Sequence, residues 1–487
     1  MARFIALDLG TSRVKGALLN EDGRVLSHAE QEYPTARPMT ARAEQRIPAW
    51  WDAIDRVAKA LVVERGAPDA VALTGQMQDV ILLDERGQPV RSVILYSDQR
   101  AQFEAGVVES VVGGPRMQQL TGLTPRASGL LEKLVWLTRH EKRTLKNTHT
   151  ILLGAADAAV FHWCGTAATD TTTASTTGLM ALEARTWIDQ AMFDALDLGA
   201  QRAKLPRLLP GGALAGHITT EAAQRTGLTA GTPVYLGPGD AGTTGLGAGS
   251  GEPGSAYFYI GTSGWVGLTT ATRPEAEMGV FSLAHPRPGH YFILAPMQLA
   301  GGNIDWIQDV LDGPEHAELI KVAASMPGTP LVYLPYLTGE RSPFEDPHAR
   351  GAFIGLSAAH TAPDLARAVL EGVAFSYRHV LETLMPTPPV SLALTGGGAR
   401  SPAWNQMIAD ITGVTITVDP DSDMVGLRGA WLAARVARGE AASYTLKTEQ
   451  AKRYKPNQGQ RARYQKQYDL FRDAYTALKP LFARQAE

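Results

Sequence analysis

The sequence predicts an α/β chain of two related domains, and three observations carry that prediction. The chain has 487 residues, and a prior of about 100–200 residues per domain makes that too long for one core. The tripeptide Gly-Thr-Ser closes a short apolar strand twice, at 10–12 and again at 261–263. Each copy is followed by a second strand, so each predicted domain begins with a hairpin. The boundary is expected at 248/249, giving domains 1–248 and 249–487.

Phe4-Ile5-Ala6-Leu7 reads as a buried strand that ends in Asp8-Leu9-Gly10-Thr11-Ser12. Val14 to Leu19 and Val25 to Glu30 follow, with a turn at Glu21-Asp22-Gly23-Arg24, and complete an antiparallel meander. A helix begins near Pro48, with Trp50, Ile54, Val57, Ala58 and Leu61 on one face. Ala70 to Thr74 is a strand that runs into Gly75-Gln76-Met77-Gln78, and Val80 to Leu83 returns from it. The Thr-rich stretch 169–177 reads either as a polar loop or edge strand or as a loop lining a substrate. Val234 to Leu236 is a strand leading to the glycine-rich turn Gly237-Pro238-Gly239-Asp240-Ala241-Gly242.

In the second half, Ala256 to Ile260 and Trp265 to Thr269 flank the second Gly-Thr-Ser. Thr361 precedes a long helix from Pro363 to about Leu384. Leu392 to Thr395 is a strand, followed by Gly396-Gly397-Gly398-Ala399. Ser401 then reads as an N-cap, Pro402 as the first helical residue and Gly413 as the stop. A glycine turn opening a helix suits a phosphate or ribose, because unpaired N–H groups point at the ligand. The tail beyond about 440 is expected to be a peripheral helix.

Composition narrows the function. The formal net charge of -3 gives no basic field for nucleic acid or an anionic membrane. The single Cys164 excludes an internal disulfide and a multi-cysteine metal site, and it suits a reducing, cytoplasmic setting. No signal peptide is read at the N-terminus, and no stretch nears the roughly 18 apolar residues that cross a bilayer. The eleven histidines show no metal-ligand spacing.

Two nucleotide motifs are tested first. A Walker A sequence is absent, which argues against a P-loop kinase. Gly237, Gly239 and Gly242 form G-x-G-x-x-G, but the glycine-rich run behind them makes a poor second strand for a dinucleotide unit. Asp8 beside Gly-Thr-Ser reads as a Mg²⁺ ligand acting through water, against the ordinary capping carboxylate of a turn. Asp240 reads as a general base, against an ordinary turn aspartate, because phosphoryl transfer needs a carboxylate to take the hydroxyl proton. The amides of Gln76 and Gln78, with Met77 between them, suit a polyhydroxylated ligand, against an ordinary strand-end loop.

Together these residues resemble the FGGY carbohydrate kinases, within the group that shares the actin and hexokinase ATPase fold. The most specific match is Gly351-Ala352-Phe353-Ile354-Gly355-Leu356, seven residues, Asp364-Leu365, two residues, and Ala368-Val369-Leu370-Glu371. Gly339-Glu340-Arg341 lies just before it. The resemblance implies two ribonuclease H-like domains with a cleft between them, the first holding sugar and phosphate and the second ATP. It implies ATP and Mg²⁺ as cofactors, with Asp8 at the metal and Asp240 as catalytic base and sugar contact. Gln76, Met77 and Gln78 become the sugar segment. Gly10, Thr11, Ser12, Gly261, Thr262, Ser263, Gly396, Gly397, Gly398, Ala399 and Asn405 become the ATP segments.

Within the family the likeness is to the xylulokinases, which implies a ketose, D-xylulose foremost, phosphorylated on a terminal hydroxyl. Three departures lie on the sugar side. Gln78 stands where a histidine is usual. Tyr96-Ser97-Asp98-Gln99-Arg100 replaces Trp-Asn-Asp-Gly-Arg. The signature around Lys133-Leu134-Val135-Trp136 is partial, with Leu130 in place of a small residue or proline. The expected partner is a small sugar, with no nucleic acid and no membrane, and a homodimer is left open. Another ketose or a polyol, an actin-like ATPase module and an NAD-dependent oxidoreductase are the alternatives.

Overall fold

The computed structural model describes residues 3–274, 279–326, 328–446 and 450–486, so Met1 and Ala2, read with the first strand, lie outside the described residues. Phe4–Leu9 (β1), Arg13–Leu19 (β2) and Val25–Glu32 (β3) form the expected antiparallel meander. Ala70–Gly75 (β4) runs parallel to β1, with Thr74 opposite Asp8 and Gly75 opposite Leu9. Ala213–His217 (β5) and Pro233–Leu236 (β6) extend the sheet beyond β4, β6 parallel to β4 and β5 antiparallel at the edge. Helix α1 (Ile47–Arg65) turns Trp50, Ile54, Val57 and Leu61 onto Ile5, Leu7 and Val14 of this sheet. Each such burial contributes about 1.5–3 kcal/mol, which is what holds β1 and its turn in place.

Helix α2 (Leu130–His140) belongs to a separate apolar cluster, in which Leu130, Leu134 and Leu137 meet Val80, Leu82 and Phe193. Helix α3 (Ala155–Cys164) returns to the first core through Val160 and Trp163. The Thr-rich stretch departs from the polar-loop reading. It is a three-residue strand, Ala168–Asp170, followed by the short helix α4 (Thr171–Ser175), and it is buried. Asp240 also departs from expectation. It stands in the first turn of helix α5 (Gly239–Gly247), not in an open turn.

The second unit repeats the first sheet. Ala256–Ile260 (β7) pairs antiparallel with Gly264–Thr270 (β8), and Tyr291–Met297 (β9) lies beyond β8. Helix α6 (Ala362–Leu384) precedes Ser391–Thr395 (β10), which runs parallel to β7. Helix α7 (Pro402–Thr412) leads to Thr415–Val418 (β11), parallel to β10. Strand Lys452–Tyr454 (β12) closes the edge antiparallel to β11. Six consecutive strands of this seven-stranded sheet, β9-β8-β7-β10-β11-β12, follow the order β3-β2-β1-β4-β6-β5 of the first.

The duplication extends to side chains. Ala-Leu-Thr-Gly ends both β4, at 72–75, and the β10 segment, at 393–396. Thr74 pairs with Asp8 and Thr395 with Tyr259, so Tyr259 occupies in the second sheet the place of Asp8 in the first. A Cβ on Gly75 would lie 2.8 Å from the Leu9 carbonyl oxygen, and one on Gly396 2.5 Å from that of Ile260. Glycine stands at both places because the neighbouring backbone leaves no room for a side chain.

By contacts, the first unit comprises Met1–Gly247, Ser282–Phe292 and Met424–Leu446, and the second comprises Ala248–Phe281, Ile293–Asp423 and Lys447–Glu487. Helix α8 (Val425–Ala437) therefore groups with the first sheet. Its Arg428 and Arg435 donate to the Gly23 and Glu21 carbonyls in the β2–β3 turn. It also packs backbone to backbone on α5. A Cβ on Gly247 would lie 1.8 Å from the Val425 carbonyl oxygen, and one on Gly429 1.8 Å from that of Thr243. Gly429→Ala gains about 1 kcal/mol of helix propensity but forces the helices apart. Overpacking of this kind costs about 1–3 kcal/mol, and a rigid carbonyl puts it at the upper end. The variant is expected to unfold at lower urea than the native chain, and an unchanged midpoint would contradict the packing argument.

The tail is more than peripheral. Helix α9 (Arg461–Gln485) buries Tyr464, Tyr468 and Phe471, and Phe375 of α6 lies against all three rings. Arg463 reaches Glu371 at 2.9 Å, and Arg367 meets the same carboxylate at 2.8 Å. Among the described residues no helix is long and apolar enough to cross a membrane.

Candidate active site

The two Gly-Thr-Ser turns are built alike from the backbone upward. In the first, Tyr33 donates its hydroxyl to the Gly10 carbonyl, and Gln45 donates Nε2 to the Thr11 carbonyl at 2.6 Å. In a trans peptide the N–H of the next residue points opposite to the carbonyl. The Thr11 and Ser12 N–H groups are therefore turned away from Tyr33 and Gln45. In the second turn the Gly261 carbonyl accepts from Gly301 N–H at 2.8 Å, and the Thr262 carbonyl accepts from Ala300 and Gly302 at 2.9 and 3.0 Å. The Thr262 and Ser263 donors are aimed by the same constraint. Gly10 and Gly261 spend their own N–H groups closing the turns, on Arg13 and Ser263. Each turn thus presents two successive backbone donors, a suitable cradle for anionic oxygens.

The remaining segments also sit where parallel strands end. Gln76 to Gln78 follow β4, Asp240 follows β6, and Gly396 to Ala399 follow β10. Side chains in an open α/β sheet bind ligands at this carboxyl edge. Gly396 has φ +89°, which a side chain would strain. Ser401 caps α7 by accepting from Trp404 N–H, and Gly413 ends the helix in the left-handed region, as the sequence predicts. Asn405 is buried. Its Nδ2 donates to the Ala399 carbonyl at 2.8 Å, bracing the glycine turn from beneath.

Carboxyl groups crowd the first sheet's edge. Burial, then the charge of Asp8, pushes Asp240 up to about 7. Burial pushes Asp8 up to about 6, with Lys15 opposing. Burial pushes Asp170 up to about 6 against hydrogen bonds from Thr173. Asp79 is held well above the carboxylate range by burial, with Lys133 opposing. Asp8 lies inside β1, not in a turn, and its Oδ1 is sealed from solvent with no hydrogen-bond partner. It caps nothing, so the turn-carboxylate alternative fails.

Three contributors are not evident in the sequence. Gln45 joins the phosphate-type turn to the sugar-type segment: besides holding Thr11, its Oε1 accepts from Trp50 at 2.9 Å and Gln76 at 3.3 Å. Asp170 caps α4, accepting from Thr173 N–H at 2.9 Å, and the Thr173 hydroxyl would lie 3.0 Å from a Cβ on Gly239. Gly426 of α8 leaves space beside Asp8, whose Oδ2 would be 3.1 Å from a Cβ there. The Asp170-x-x-Thr173 capping spacing was the one available signal.

The G-x-G-x-x-G segment does not open a dinucleotide unit. The next main strand after α5 is β7, and β7 lies in a different sheet from β6. A duplicated sheet of this order, with glycine turns at its parallel strand ends, defines the actin and hexokinase class of ATPase folds. The profiles of the FGGY family of carbohydrate kinases match residues 3–247 with the N-terminal domain and residues 256–438 with the C-terminal domain. The chain belongs to that family, so it is a carbohydrate kinase that uses ATP.

It is 33% identical to a xylulose kinase of Escherichia coli, over 99% of this chain and 100% of the relative. It is 27% identical to a gluconokinase of Bacillus subtilis, over 91% of this chain and 88% of the relative. The crystal structure of a xyloylose kinase from Brucella ovis superposes with a TM-score of 0.89 at 28% identity, covering 98% of this chain and 100% of that one.

Proposed function

We propose that the chain transfers the γ-phosphoryl group of ATP to the terminal hydroxyl of a small ketose, D-xylulose foremost. The observation that carries this reading is the pair of turns with outward backbone donors, one in each sheet. In this reading Thr11, Ser12, Thr262 and Ser263 hold phosphate oxygens, and Gly396 to Ala399 receive the adenosine, with Asn405 behind them. Gln76, Met77 and Gln78 face the sugar. Asp240 accepts the proton of the attacking hydroxyl while that oxygen bonds to phosphorus and ADP departs.

Mg²⁺ fits the first unit. Asp8 is half-buried, with one carboxylate oxygen sealed from solvent and unpartnered, and among the described residues no group of three or more acidic, histidine or cysteine side chains gathers to hold a metal. An ion that keeps its waters and shares phosphate oxygens needs only one such carboxylate. When bound, Mg²⁺ would neutralise phosphate charge, and Asp8 would orient one of its waters. We place the reaction in the cytoplasm, where a chain with one cysteine needs no disulfide.

A coupled ADP-release assay over ketoses, aldoses, polyols and aldonates tests the reading. D-xylulose is expected to give the highest kcat/KM. ADP release indifferent to any added sugar would sink it, and an aldonate or polyol as best substrate would refute the ketose assignment alone.

A further inference from the structure

Two of the departures from the family pattern, Gln78 and the segment at Tyr96, meet the residues flanking Leu130 around one loop. Arg126 donates from Nη2 to the Gln78 Oε1 at 3.4 Å. Tyr96 donates its N–H to the Asp79 Oδ1 at 3.0 Å. Lys133 donates from Nζ to the Leu95 carbonyl at 2.6 Å, and its charge opposes that of Asp79. The segment before α2 is itself anchored, because Arg126 N–H donates to the Glu132 Oε1 at 3.1 Å. Gln78 takes φ +65°, uncommon for a residue with a side chain, so its surroundings hold it there. It is only part-buried, within reach of a ligand, unlike the sealed Asp79.

A guanidinium only donates, so the carboxamide must turn its oxygen to Arg126. Its Nε2, which makes no hydrogen bond among the described residues, is then directed elsewhere with two donors. We propose that Arg126, by holding the Gln78 oxygen, points the Gln78 amide donors at the acceptor sugar, so that the site selects a keto oxygen over a hydroxyl. This rests on the reading of Gln76 to Gln78 as the sugar loop. The chemistry of the substrate supports it. A 2-pentulose that offers its terminal oxygen is open-chain, because ring closure would consume that oxygen, and so it carries a free carbonyl. A carbonyl is a pure acceptor and suits two donors. The hydroxyl of a pentitol at the same place brings a proton that meets donors only, and a polar group left unpaired in a site is strongly rejected.

The test compares kcat/KM for a 2-pentulose and the matching pentitol in the native enzyme, Arg126→Ala, Arg126→Lys and Gln78→Glu. The native enzyme is expected to prefer the ketose. Arg126→Ala should cut that preference about tenfold, chiefly through the KM of the ketose, since a free amide can flip. Lysine still donates to the amide oxygen and should keep most of the preference. Gln78→Glu keeps an oxygen for Arg126 but has no donor to offer, so the preference should fall at least as far. If Arg126→Ala does not fold, Gln78→Glu decides. A merely structural Arg126 would lower both substrates together. An unchanged ketose-to-pentitol ratio in the folded variants overturns the inference and leaves the kinase reading standing. A native enzyme inactive on every ketose overturns the ketose reading itself.

Discussion

Asp240→Asn is expected to lower kcat by about a hundred- to ten-thousandfold, the usual contribution of a general base. Asparagine has the same shape but cannot take the hydroxyl proton. Nucleotide binding, followed by titration with a fluorescent ATP analogue, should be nearly unchanged, because the residues proposed for ATP are elsewhere. Stability should move the other way. Asp240 is raised to about 7 by burial and by Asp8, so the folded state disfavours its ionised form. A group raised in this way contributes stability that is present below its unfolded value near 4 and is lost as pH rises through about 7. At pH 8 the asparagine variant, which never ionises, should melt no lower than the native chain. The native kcat/KM should climb with pH through about 7 as the base loses its proton. Full activity in the variant, or a flat native profile between pH 5.5 and 8 measured as roughly constant kcat/KM, would remove Asp240 from the mechanism.

The parts of this site that could be read in the sequence are those that local backbone rules dictate. Gly-Thr-Ser at a strand end, Ser401 and Pro402 at a helix start and Gly413 at its stop each state their own conformation. The repeat at 72–75 and 393–396 was equally legible in principle, though four residues spaced across 321 positions stand out only once the two strands are seen in the same place. What could not be read was decided by packing. Helix α5 carries four glycines in nine residues, each costing about 1 kcal/mol of helix propensity, so its sequence reads as a loop. Gly247 is there because α8 lies against the α5 backbone, and Gly239 and Gly242 face Met77 and Thr172; α8 arrives from almost two hundred residues further on.

The Thr-rich stretch misleads for a related reason. Its hydroxyls suggest exposure, yet Ser175, Thr176 and Thr177 donate to carbonyls three residues back at 2.6 to 2.7 Å. Once satisfied locally, they can be buried. The convergence of Gln78, residues 96–100 and Arg126 is likewise invisible in a linear reading, because it depends on two segments folding back over one loop.

Asp8→Asn is expected to separate the metal from the base. If Asp8 orients a water of Mg²⁺, its loss should raise the Mg²⁺ concentration needed for half-maximal turnover by about ten- to a hundredfold, the usual cost of an outer contact to a metal. It should also alter Asp240. The Asp8 charge is the second cause of the raised Asp240 value, after burial. Removing that charge makes the Asp240 carboxylate easier to form, so the acid limb of the pH profile should move to lower pH. At saturating Mg²⁺ and pH 6 the variant would then retain a larger share of its own maximum than the native enzyme does, although that maximum is lower. Burial remains, so the limb should stop short of an exposed aspartate. A purely structural Asp8 would depress activity at every pH alike. Only a charge that faces both the metal and the base predicts a slower enzyme whose profile shifts toward acid, and a limb that stays in place would separate Asp8 from Asp240.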